Sequence, residues 1–239
     1  MNTKNLTCPI SLTFQSIENM AKEFTARGFP LNADGVREIL ESFGYEALVL
    51  EGILRSPLIK LKLMIDQKAR RLGHFTLASQ EEAGIYYDIK KLLLDPQGIT
   101  LISEIVSDYL CNTGIEIDAI GGHGLGGSLI IPEVLSRMQA KNKPIPGFIV
   151  RDEVKDHGTR ELIEGSLEKG WRVAIIDDVL STGRTVLKTI QTVIEKGAKV
   201  TVVTAILDRR QYGGSIKLLR NGYTFKAFLT VDSSGKISY

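Results

Sequence analysis

Apolar residues recur at helical spacing through the first quarter of the chain. Phe14, Ile17, Met20, Ala21 and Phe24 fall at i, i+3 and i+4 positions, and Ala33 to Phe43 repeats the pattern behind Asn32 as a cap. Gly28-Phe29-Pro30 and Gly44-Tyr45 punctuate these amphipathic stretches. A further helix is predicted from Pro57 to Leu72, with Pro57 in its first turn and Gly73 as its stop. His74–Leu77 and Ile85–Ile89 read as short strands, and Pro96 opens a helix through Cys111. Beyond that point the period alternates. Continuously apolar strands are predicted at Ile117–Ile120, Pro146–Val150, Arg172–Ile176 and Lys199–Leu207. Between them lie a glycine-rich segment and a helix through Ala140, a long polar stretch, and a helix ending at Gly197. Buried strands alternating with helices predict an α/β core with a mostly parallel sheet flanked by helices, over about residues 96–210.

Composition narrows the setting. The 239 residues suit one large domain or an ordinary domain with an appendage, and a makeup 43% hydrophobic and 24% charged argues against wholesale disorder. Lys and Arg number 30 against 28 Asp and Glu, so no globally basic surface points to nucleic acid or an anionic membrane. Residues 14–55 show no basic recognition face either, with Glu18, Glu23, Glu38, Glu41, Glu46 and Glu51 among them. Nucleic acid is therefore not expected as a partner. Cys8 and Cys111 cannot build a disulfide framework, and no Cys/His spacing reads as a zinc site. The first residues lack the basic-then-apolar order of a signal peptide, and no run is long enough to cross a membrane. A cytoplasmic protein is expected.

The most specific segment is Val173–Thr185, reading VAIIDDVLSTGRT. A buried strand ends in Asp177 and Asp178, and Ser181, Thr182, Gly183, Arg184 and Thr185 then turn into a helix. Hydroxyls and open backbone N–H groups at a helix start cradle a phosphate. Adjacent carboxylates beside such a cradle suit a sugar phosphate, whose vicinal hydroxyls donate to the acids. The bland alternative is a turn capped by Ser181 or Thr182 with the acids merely solvated.

A second segment follows Val150. About twenty residues with little apolar content precede the next strand, a length more typical of a binding loop than of a connection. It carries Arg151, Lys155, His157 and Arg160, suited to a polyanionic leaving group, with Gly158 and Gly165 as hinges. A solvated charged loop is the alternative.

Two further features compete or contribute. Gly122-His123-Gly124-Leu125-Gly126-Gly127 fits G-x-G-x-x-G, with Asp152 and Glu153 at a distance suiting a dinucleotide site. That reading leaves Val173–Thr185 unexplained. Leu207-Asp208-Arg209 ends a strand on the sheet edge where open α/β folds place their sites, and the Arg209 fork suits a planar carboxylate. A surface arginine is its alternative.

Together these segments resemble the type I phosphoribosyltransferases, and among them the orotate phosphoribosyltransferases, from about Leu58 to Leu207. Val173–Thr185 is similar to the family's phosphoribosyl-pyrophosphate (PRPP) signature. The resemblance implies that Asp177 and Asp178 bind the ribose hydroxyls and that Ser181 to Thr185 hold the 5-phosphate. Arg151-x-x-x-Lys155-x-His157-Gly158 resembles the catalytic loop, implying Arg151 on pyrophosphate and Lys155 and His157 reaching a neighbouring site across a homodimer. Leu125, Gly126 and Gly127 resemble the pyrophosphate loop, and Arg209 the arginine on the orotate carboxylate. Gly73 to Ser79 and Tyr86 to Lys90 match the family's small N-terminal hood. Two departures stand out: Asp152 replaces the lysine usual after the arginine, and Gln80, Glu81 and Glu82 replace Gly-Lys-Lys. If they face the site, Glu81 and Glu82 disfavour an anionic acceptor. The implied function is Mg2+-dependent transfer of phosphoribose from PRPP to orotate, with Mg2+ bound mainly through PRPP. A relative using another base, or a non-catalytic PRPP sensor, are its rivals. The expected organisation is a helical extension over 1–56 and a phosphoribosyltransferase domain over 57–239, with the hood at about 57–95.

Overall fold

The computed structural model describes residues 56–76, 82–151 and 162–239. Contacts divide the chain between Ser56 and Pro57, and the described residues all but Ser56 lie in the second unit. Lys155, His157, Arg160 and Gly158 lie outside the described residues, as do Gln80, Glu81, Asp152 and all of 1–55.

Helix α1 (Pro57–Met64) is shorter than predicted, giving way to a π-helical turn over Ile65–Ala69 and then to strand β1 (Arg70–Thr76). Gly73 is therefore inside a strand and not a helix stop. Long-range pairing overrides the local helical pattern here, because Arg70 pairs with Tyr87 and Leu72 with Ile85 of β2 (Glu82–Tyr87) in an antiparallel hairpin. Ile89 and Leu92 then bury completely as the chain enters the short helix α2 (Lys90–Leu93). Helix α3 (Pro96–Asn112) starts as predicted: the Asp95 carboxylate accepts from the N–H groups of Gln97 and Gly98, and Pro96 sits where no N–H is needed.

The main sheet comprises β3 (Ala119–His123), β4 (Gly147–Val150), β5 (Ile163–Gly165), β6 (Arg172–Leu180), β7 (Lys199–Arg209), β8 (Phe225–Val231) and β9 (Ile237–Ser238). Its order is β5-β4-β3-β6-β7-β8-β9. The inner five strands run parallel, and β5 and β9 close the two edges antiparallel. Helices α4 (Gly124–Ala140), α5 (Arg184–Glu195) and α6 (Gly214–Arg220) connect the parallel strands. Apolar clusters pack on both faces, one around Ile102, Ile130, Ile176 and Leu207, the other around Phe148, Ile175, Ile190 and Val203.

Three features depart from the sequence expectations. The sheet continues past residue 210, since β8 pairs with β7 along its length. Strand β6 does not stop at Ile176 but carries both acids within it, held by Asp177 against Ala205 and Leu180 against Asp208 of β7. Gly165 is no free hinge: it is paired with Phe148 at φ +94°, and a Cβ there would meet the Gly147 carbonyl at 2.4 Å.

Candidate active site

All the parallel strands end on one edge of the sheet, and β6 and β7 deliver the chemistry there. A cavity of about 260 Å³ is lined by Asp177, Asp178, the turn from Ser181 to Thr185, Lys90, Tyr86, Tyr87 and Arg209. The structure thus gathers the acid pair, the predicted phosphate turn and the predicted acceptor arginine around one space.

The acids are locked by their own backbone. Asp177 Oδ1 accepts from the Asp178 N–H at 3.0 Å, and Asp178 Oδ1 accepts from the Val179 N–H at 2.9 Å. Burial, and then the neighbouring Asp178 charge, push the Asp177 carboxyl up to about 8. The Asp177 carboxyl is thus the harder to ionise beside its neighbour.

The turn after β6 is built to expose backbone. Gly183 caps α5 at φ +73°, a conformation that favours glycine, and no side chain caps the helix. The reading in which Ser181 or Thr182 merely caps α5 is thereby overturned. Gly214 at the start of α6 braces the turn from behind, its N–H donating to the Ser181 carbonyl at 2.9 Å. The uncapped helix start faces the cavity and suits an anion.

Arg209 is not a surface arginine. It is 3% exposed, and its Nη2 donates to the Ile85 carbonyl and to the Tyr212 hydroxyl, both at 3.0 Å. Its guanidinium lies 4.5 Å from the Tyr212 ring centre and 5.8 Å from that of Tyr87. Because Ile85 belongs to the hairpin, Arg209 joins that hairpin to the sheet at the cavity wall.

The glycine segment is less of a loop than expected. His123 ends β3, and Gly124 already begins α4, so Leu125, Gly126 and Gly127 form the first helical turn. Leu125 is exposed, and the three do not line the cavity. Gly126 nevertheless backs directly onto Asp178, since a Cβ there would lie 2.6 Å from Asp178 Oδ1. Arg151 stands at the end of β4, beyond β3, where it pairs with Glu164 at 3.4 Å and does not line the cavity. Glu82 is exposed and does not line it either.

Lys90, the two hairpin tyrosines and Tyr212 belong to the site or its support, and only the match of Tyr86 to Lys90 pointed toward them. Lys90 Nζ lies 3.9 Å from Asp178 Oδ2 and 3.6 Å from Asp88 Oδ1. No group of three or more His, Cys, Asp or Glu residues among those described could hold a metal. The carboxylates of Asp177 and Asp178 are of the oxygen-donor type that would suit Mg2+. Among the described residues, no helix is long and apolar enough to cross a membrane.

Known proteins share the fold and much of the sequence. The phosphoribosyl transferase domain model matches residues 88–227. The orotate phosphoribosyltransferase of Pyrococcus abyssi is 34% identical over 151 residues, 63% of this chain and 80% of that protein. That of Rhodopirellula baltica is 32% identical over 184 residues, 75% and 93% of the two chains. Among solved structures, orotate phosphoribosyltransferase from Aeropyrum pernix superposes with a TM-score of 0.60 at 27% identity, covering 71% of this chain and 92% of its own. The Mycobacterium tuberculosis H37Rv enzyme gives 0.62 at 26%, covering 73% and 97%. With the turn, the acid pair and the buried arginine meeting in one cavity, the domain match and these relatives leave one assignment: the chain belongs to the orotate phosphoribosyltransferases of the type I phosphoribosyltransferase family.

Proposed function

We propose that this protein transfers phosphoribose from PRPP to orotate, releasing pyrophosphate and giving orotidine 5'-monophosphate in pyrimidine nucleotide biosynthesis. The observation that carries the reading is the cavity itself, with a diol-binding acid pair between an anion cradle and a buried arginine fork. The 5-phosphate is read onto the backbone of Ser181 to Thr185, and the ribose hydroxyls onto Asp177 and Asp178. Orotate then lies between the sugar and the Arg209 wall, its carboxylate toward the guanidinium. Its ring nitrogen attacks the anomeric carbon as the bond to pyrophosphate breaks. Positive charge developing on the sugar is favoured by the adjacent ionised acid.

Mg2+ bound through PRPP would neutralise the departing diphosphate. Arg151, Lys155 and His157 take the same role from the segment after β4, and Leu125, Gly126 and Gly127, outside the cavity lining, are read as the backbone that the pyrophosphate approaches. By the resemblance, Lys155 and His157 serve the neighbouring site, so a homodimer with shared sites is part of the reading. A cytoplasmic location accords with two cysteines that build no disulfide framework. The domain is read as 57–239, with its hood at about 57–95.

The test is direct. With PRPP, Mg2+ and orotate, the protein should consume orotate and release pyrophosphate in equal amounts, and Asp178→Asn should abolish both. Binding of PRPP with no turnover of orotate would refute the transferase reading in favour of a sensor. Turnover with another base alone would reassign the acceptor.

A further inference from the structure

We infer that Lys90 is a positioning residue for the sugar-binding site, fixing the Asp178 carboxylate in the orientation that receives the ribose diol. The inference rests on the cavity being the PRPP site.

The argument begins with what holds Lys90. Ile89 and Leu92 are fully buried and Leu93 nearly so, which anchors the turn on which Lys90 stands. The Asp88 N–H donates to the Ala69 carbonyl at 2.9 Å, pinning the residue that precedes this turn. From that base the ammonium reaches two carboxylates, Asp88 at 3.6 Å and Asp178 at 3.9 Å. Asp88 is itself met from the hairpin by Arg71 at 3.5 Å. A line of alternating charge thus runs from the hairpin, through Asp88 and Lys90, to the acid on β6.

The contacts on Asp178 divide between its two oxygens. Oδ1 accepts from the Val179 N–H at 2.9 Å, and Oδ2 faces Lys90. A hydrogen bond at one oxygen and an opposite charge near the other favour one orientation of the carboxylate. One face stays open to the cavity for a diol while the charge remains matched. The groups facing Lys90 are Asp178, Tyr86 and Asp88, and together they raise its pKa against the opposing effect of burial, so it stays an ammonium. Without it, Asp178 stands beside Asp177 lacking the Lys90 charge, and the Val179 N–H alone fixes its orientation. That costs sugar affinity and leaves the acceptor wall, built on Arg209, untouched.

The test uses Lys90→Met, Lys90→Arg and Asp88→Asn in the full chain, measuring PRPP binding by calorimetry and KM for each substrate. Lys90→Met should raise both the Kd and the KM for PRPP about tenfold, as for loss of a half-buried charge partner. KM for orotate should stay within about twofold and the melting temperature should be unchanged. Lys90→Arg should recover PRPP affinity to within about threefold, and Asp88→Asn should fall between wild type and Lys90→Met. Wild-type PRPP affinity in Lys90→Met overturns the inference, and so does an arginine variant no better than methionine. A change confined to the orotate KM does the same. Failure of the wild-type protein to bind PRPP overturns the reading of the cavity as well, which separates the two failures.

Discussion

Gly126→Ala tests how tightly the start of α4 governs Asp178, the acid proposed to bind the sugar. The backbone at Gly126 does not have the positive φ that demands glycine, so alanine is acceptable to the helix and gains up to about 1 kcal/mol of propensity there. The difficulty is what the new methyl meets. It would lie 2.6 Å from Asp178 Oδ1 and 2.7 Å from Asp178 Cγ. Reaching ordinary contact near 3.4 Å forces the carboxylate back by about 0.8 Å from its place on the cavity wall. That move also strains the bond from the Val179 N–H. A displacement of this size at a group that positions substrate costs about 100-fold in kcat/KM, or about 2.7 kcal/mol of transition-state stabilisation. The assay is steady-state kinetics in PRPP beside a thermal melt, with Gly127→Ala as the contrast. There the methyl would meet the Gly122 backbone at 2.9 Å, which cannot turn aside, so the loss of about 1–3 kcal/mol should fall on stability. Gly126→Ala with wild-type kcat/KM at an unchanged melting temperature would refute the reasoning, as would a loss of activity fully matched by a loss of stability.

Three further outcomes follow from the site. The unfolded chain ionises Asp177 near 3.8 and the folded chain near 8, so between them the folded state holds a proton that the unfolded state has released, and stability falls as pH rises through that window. Asp177→Asn should remove this loss, so its urea midpoint should gain on wild type from about pH 4 to 8 and hold steady above; a constant difference across pH would contradict the buried proton. Arg209→Lys keeps the charge but loses the planar fork between Tyr212 and the Ile85 carbonyl, and should raise the orotate KM at least about tenfold with the PRPP KM within about twofold. Purified heterodimers of Lys155→Ala and Asp178→Asn chains should regain about half of wild-type activity, because crossing the interface restores one intact site of two. Heterodimers as inactive as the parent variants would place Lys155 in its own chain's site.

Where function was legible in the sequence, it was because local pattern and tertiary role coincide. The apolar run at 173–176, the acid pair and the Ser-Thr-Gly turn lie within one stretch, and the fold needs only to end a strand beside a helix. The exact end of β6 was not legible. Val179 and Leu180 look like loop beyond two acids, but β7 continues alongside and pairs with them. The start of strand β1, Arg70 to Gly73, was hidden for the same reason: its partners on β2, and not its own helical periodicity, set its conformation, whereas His74 to Thr76 already read as strand. Arg209 could be read as a site residue but not as a buried one, because its burial depends on Ile85 and Tyr212 from other segments. Lys90 escaped because nothing near it in sequence needs a cation except Asp88, while Asp178 lies far along the chain.

The acceptor end turns on the same distinction between local composition and placement. Read along the chain, the acidic pair at 81–82 stands where the resemblance leads one to expect lysines. In the structure Glu82 pairs with Thr76 at one end of the hairpin, whereas Tyr86 and Tyr87 reach the cavity at the other, where Tyr87 pairs with Arg70. The four residue steps of extended strand from Glu82 to Tyr86 span about 13 Å, beyond the screening length of about 8 Å at physiological salt. An exposed carboxylate at that distance does not set the potential at the base. The charge that an anionic acceptor meets is that of Arg209, desolvated and held by two hydrogen bonds from its Nη2. Placement therefore outweighs composition here, and the Glu82 charge leaves orotate as the acceptor the wall is built to receive.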